Sequence, residues 1–131
     1  MTALPVEERV QDFRKLKVWQ RSRVVVQGVY RITDDFPPSE RFGLVSQSRR
    51  ASVSIAANIA EGCGRFGNRE FGRFVNIALG SASELESHLL VAVFLGMTDQ
   101  QAVAPVIAEL KHVQRMLASL GRRLSSEPTS T

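Results

Sequence analysis

Gly62, Gly64 and Gly67 spell G-x-G-x-x-G, the spacing with which dinucleotide-binding folds bring backbone amides against a pyrophosphate. That use needs a preceding strand and an acidic residue about twenty positions on, inside a βαβ unit. Here the flanking periodicity is helical on both sides, so an ordinary interhelix turn is the better reading. A softer version stays open, in which Arg65, Arg69 and the free amides opening the next helix hold a phosphate. Glu109 and His112 form E-x-x-H, which di-iron bundles carry twice and join to two further inward carboxylates. One copy is present, and with Val106, Leu110 and Val113 toward the core, His112 points outward. Glu84 and His88 are a polar pair on one helix face, too few ligands for a metal. Cys63 has no histidine near it in sequence to act as a base, although Arg65 would lower its pKa if the thiol were exposed. No nucleophile elbow, Walker loop or zinc-ligand cluster occurs. The expectation is a non-enzymatic chain without catalytic residues, metal or cofactor.

The elements that hold these residues are helices. Val18, Val25, Val29, Ile32 and Phe36 predict a helix over residues 16–36, ended by Pro37 and Pro38. A second, over residues 39–61, carries Leu44, Ala51, Ile55 and Ile59, with Gly62 as its stop. Asn68 is the expected N-cap of a third, with Phe71, Phe74, Ala78, Leu85, Leu89 and Ala92 inward and Leu95-Gly96 as its close. Thr98 and Gln101 read as a capping box for a fourth. There Val103, Val106, Leu110, Val113, Leu117, Leu120 and Leu124 alternate spacings of three and four. Pro105 leaves two options, an irregular first turn or a helix that begins at the proline. Short connections reach only neighbouring ends, so the fold class is an all-α, antiparallel, up-and-down four-helix bundle. Small residues in the middle two helices, Gly80 among them, suggest close helix approach. The bundle is expected over residues 14–124, between a flexible segment 1–13 and a disordered tail 125–131.

At 131 residues, 44% hydrophobic and 23% charged, the chain has the composition of one globular domain. Its single cysteine excludes an internal disulfide, and the N-terminus lacks the apolar core of a signal peptide, which favours a cytoplasmic location. Polar residues interrupt every hydrophobic run, so no membrane span is expected.

The net charge of +4 is unevenly spread. Residues 13–33 hold Arg14, Lys15, Lys17, Arg21, Arg23 and Arg31 with no acid. Arg49 and Arg50 follow, then Arg65, Arg69 and Arg73, then Lys111, Arg115, Arg122 and Arg123. Such a surface can neutralise RNA or DNA phosphates, although charged helix faces are usually only solvated. The candidate nucleic-acid residues are Arg14, Lys15, Lys17, Arg21, Arg23, Arg49 and Arg50. Phe71 and Phe74 belong to the core stripe, so base stacking is not expected. The alternative is a module that docks an acidic protein on the same face.

LKVWQ, FPPSERFGLVSQSRRASVSIAANIAEG, EFGRFVNIALGSASELE and the late RML together resemble the four helix bundle protein family associated with intervening sequences of 23S rRNA genes. That family is similar to the accessory variability protein of diversity-generating retroelements. The likeness spans residues 13–124 and is most specific in NIAEG with Arg65 and in the EFxRF segment. It implies a homopentameric barrel of bundles and, for the retroelement relatives, a basic surface that engages nucleic acid and a reverse transcriptase. Met97, where an aromatic is common, and Pro105 depart from the pattern. The motif residues are Asn58, Glu61, Gly62, Arg65, Glu70, Phe71, Arg73 and Phe74. Among them Glu61, Arg65, Glu70 and Arg73 are expected to form one charged cluster where the second and third helices meet.

Overall fold

The computed structural model describes residues 12–126. Four helices dominate: α1 (Lys17–Thr33), α2 (Leu44–Cys63), α3 (Asn68–Phe94) and α4 (Gln100–Ser126). Among the described residues there is no strand. Each helix packs on its neighbours in the chain, and α1 closes the square against α4. This is the up-and-down bundle that the short connections require.

The expected stripes form the core. Val18, Val25 and Val29 of α1 meet Ile55 and Ile59 of α2, Leu85 and Leu89 of α3, and Leu110, Val113 and Leu117 of α4. Full burial of each such side chain contributes about 1.5–3 kcal/mol relative to exposure. The small residues do bring α2 and α3 together: Ser54 Oγ and Ser81 Oγ lie 2.9 Å apart across them. Gly80 is not part of this approach, because a Cβ there would meet nothing within 4 Å.

Helix ends differ from the expected ones where local hydrogen bonds compete with the period. α1 stops at Thr33, before the prolines, because the Asp35 and Phe36 amides turn back onto the Ile32 and Thr33 carbonyls. The turn tucks Phe36 against Val45 and Ala92. Residues 38–40 form a separate 3₁₀ turn, and α2 begins at Leu44, whose amide donates to Glu40 Oε1 at 3.1 Å. The stop of α2 is Gly64, not Gly62. Gly67 caps α3, and Asn68 is its first helical residue.

The close of α3 is as expected. Gly96 takes φ +76°, the Gly96 amide donates to Val93 O at 3.0 Å, and the Met97 amide donates to Ala92 O at 2.9 Å. This is a Schellman close, and Met97 packs on the Ala92 cluster as such closes favour. The cap of α4 is Asp99, whose Oδ1 accepts from the Ala102 amide at 2.8 Å, in place of the expected Thr98. Pro105 sits inside α4, one turn past its start, so the helix does not begin at the proline.

The expected flexible and disordered ends lie mostly outside the described residues. Within them, Asp12 caps a 3₁₀ turn at Phe13–Lys15, and Ser125 and Ser126 complete α4. A further correction concerns hydropathy: α3 is long and apolar enough by composition to cross a membrane, with 28% of its most apolar window buried. Glycine, alanine and serine interrupt its Val/Leu/Ile runs without making them strongly polar. Its inward face is nevertheless committed to the bundle core through Ala78, Ala82, Leu85 and Leu89.

Candidate nucleic-acid interface

The antiparallel order sets the starts of α1 and α3 and the ends of α2 and α4 at one end of the bundle. That end gathers cations from three separate stretches of chain. Lys15 comes from the 3₁₀ turn before α1 and Lys17 from its first residue, Arg69 from the start of α3, and Arg115, Arg122 and Arg123 from the second half of α4. All six are exposed, and none forms an ion pair among the described residues. Cations at the end of α4 are where the helix dipole favours them. Lys17 and Arg69, in the first turns of α1 and α3, are where it disfavours them.

The sequence-predicted candidates do not form one face. Arg14 is tied to Asp12, its Nε and Nη2 donating to the carboxylate at 2.9 Å each, and these bonds hold the Asp12 carboxyl below the usual carboxylate range. Arg21 pairs with Glu109 of α4 at 2.7 Å. Arg23 lies over the Trp19 ring, 4.8 Å from its centroid. Arg49 is held near the far end of the bundle by Thr33 Oγ1 and Asp34 Oδ1, both at 2.9 Å, and by the Tyr30 ring. Arg50 follows it on α2, so both are remote from Lys15 and Lys17.

Two grooves open at the cationic end. One, about 1350 Å³, lies between the start of α3 and the end of α4, with Arg69, Arg73, Arg122 and Glu70 in its wall. The other, about 470 Å³, lies between α1 and α4 over Leu16, Val18, Met116 and Leu120. Lys17, His112, Arg115 and Arg123 line it, with no acid among the described lining residues. The sequence identified Arg115 and Arg123 only as part of a general excess and His112 as an outward residue. Reading helix starts beside helix ends, as an up-and-down order requires, is the signal that would have assembled them.

The motif residues sort into packing and pairing. Gly62 is buried against Phe71 and Phe74. Glu61 pairs with Arg65 at 2.9 Å, and Glu70 with Arg73 at 3.3 Å, so the expected single cluster is two local pairs within their own segments. What unites them is Phe74, whose ring centroid is 5.3 Å from the Arg65 guanidinium carbon and 4.6 Å from that of Arg73. Asn58 stands apart and donates to Ser54 O at 2.8 Å.

The other chemical candidates reduce to structure. Gly62 lies in the last turn of a helix and Gly64 ends it, so the G-x-G-x-x-G spacing joins α2 to α3. Glu84 and His88 pair at 3.1 Å, and no cluster able to hold a metal occurs among the described residues. Cys63 is 3% exposed, and burial pushes its thiol pKa up.

The described residues together form a four-helix bundle with cations gathered at one end. The chain belongs to the 23S rRNA-intervening sequence protein family, whose model matches residues 14–119. Its fold is similar to a crystal structure, at 1.70 Å, of a protein of unknown function from the S23 ribosomal protein family of Bacteroides thetaiotaomicron VPI-5482. The two share 22% identity with a TM-score of 0.71, over 79% of this chain and 96% of that one. No curated protein matches the chain.

Proposed function

We propose that this chain is a non-enzymatic, cytoplasmic, homo-oligomeric bundle protein that binds nucleic acid through its cationic end. The observation that carries the reading is the convergence of Lys15, Lys17, Arg69, Arg115, Arg122 and Arg123, none of which has an acidic partner among the described residues. Cations in the first turns of α1 and α3 work against the helix dipole, so stability gives no reason for them, whereas a bound phosphate backbone does. Among the described residues, no phenylalanine, tyrosine or tryptophan lines the groove between α1 and α4, which favours backbone over base recognition there.

Self-association is supported by apolar surface left on two sides of the bundle. α3 exposes Ile77, Leu90, Val91 and Phe94, the last 88% exposed, and a shallow groove of about 410 Å³ opens beside the latter three. The α1–α2 side exposes Val24 and Val53 beside a second groove. Two different apolar faces favour a heterologous head-to-tail contact, which closes into a ring when the rotation permits. The resemblance to pentameric bundles makes five the expected number.

Light scattering of the purified protein, alone and with structured RNA or duplex DNA at two salt concentrations, tests both halves. The expected result is a closed oligomer that binds at low salt and releases at high salt. A monomer that binds neither nucleic acid would overturn the reading.

A further inference from the structure

We propose that a single phosphodiester strand runs along the groove between α1 and α4, held by Lys17, Arg115 and Arg123; this rests on the nucleic-acid reading above. Arg115, Ser119 and Arg123 follow one another at one-turn intervals on the rim of that groove. A rise of about 1.5 Å per residue spreads them over about 12 Å. Lys17 supplies the opposing wall from α1. A row of donors at every turn suits a polymer with a charge at every repeat, and serine hydroxyls serve phosphate oxygens as arginines do.

Among the described residues the charge in this groove is uncommitted. Glu109, the acid that precedes Arg115 on α4, is already held by Arg21 at 2.7 Å, and Lys17, Arg115 and Arg123 have no carboxylate partner among the described residues. In the groove on the other side of α4, by contrast, Glu70 stands in the wall and holds Arg73 at 3.3 Å, which cancels part of its charge. The floor of Leu16, Val18, Met116 and Leu120 offers apolar surface to sugars, and the donors on the rim suit phosphate oxygens, contacts that carry little sequence information.

The test is a fluorescence-anisotropy titration of the full chain with a fluorescein-labelled oligouridylate across a range of salt. The double variant Arg115→Gln/Arg123→Gln is expected to weaken binding about tenfold or more and to reduce the salt slope by about 1.4, with thermal unfolding unchanged. Arg69→Gln/Arg122→Gln removes equal charge from the other groove and is expected to cost clearly less. Ser119→Leu, which crowds the groove at constant charge, is expected to weaken binding. Equal losses in the two double variants would overturn the groove, as would loss only in Arg23→Gln/Arg50→Gln, while leaving nucleic-acid binding intact. Displacement of the oligouridylate by poly-glutamate at equal charge concentration would assign the groove to an acidic polypeptide instead. No binding by the unaltered protein at low salt would overturn both this proposal and the reading beneath it.

Discussion

Gly62 of α2 lies so close to Phe74 of α3 that a Cβ on the glycine would stand 2.6 Å from the Phe74 Cβ. Alanine is the better helix former by about 1 kcal/mol, so in open space Gly62→Ala would stabilise. Here it is expected to destabilise by about 1–3 kcal/mol through overpacking. Gly67, at φ +88° and ψ +146°, an extended conformation open essentially only to glycine, is expected to lose about 1–3 kcal/mol on replacement by alanine. Gly64, at φ −83° and with only ordinary contacts around a Cβ, is expected to tolerate the change. Urea unfolding of the three variants checks this order, and equal effects would contradict it.

Asp99 caps α4 through its bond to the Ala102 amide. Asp99→Ala is expected to cost about 1 kcal/mol, and Thr98→Ala less. Denaturant midpoints of the two variants decide which residue is the cap.

Cys63 is buried, and burial raises its thiol pKa. Alkylation by iodoacetamide is expected to be slow in the native protein and fast in denaturant. The unfolded chain releases this proton first, so stability falls as pH rises past the ordinary thiol range toward the higher folded value. Rapid native alkylation at neutral pH would contradict the buried placement.

Phe94 and Val91 lie on the exposed strip of α3. Phe94→Glu combined with Val91→Glu is expected to dissociate the oligomer while leaving helix content and the unfolding midpoint of the protomer nearly unchanged. Light scattering and circular dichroism measure the two effects. An undiminished mass would move the interface elsewhere.

The fold is legible in the sequence because apolar spacing reports burial directly: Val25, Val29, Ile55, Ile59, Leu85, Leu89, Leu110 and Leu117 are all inward as the periods require. Helix ends are less legible, since Asp99 and Glu40 hold the starts of α4 and α2 through side-chain bonds that periodicity does not encode. The site is least legible. Arg14, Arg21 and Arg49 read as free charge along the chain, but each meets a carboxylate in the folded structure. Lys17 and Arg123 are far apart in sequence and come to line one groove only when α1 lies against α4.

The salt dependence of oligouridylate binding tests the nucleic-acid reading most directly. Six cations at one end, without carboxylate partners among the described residues, at about 0.7 per contact for single strands, set an upper slope of about −4 in log affinity against log salt. Binding at low salt with a slope between about −2 and −4 is the predicted result, the lower figure being that of the three groove cations alone. Absence of binding at low salt, or an affinity indifferent to salt, would contradict it.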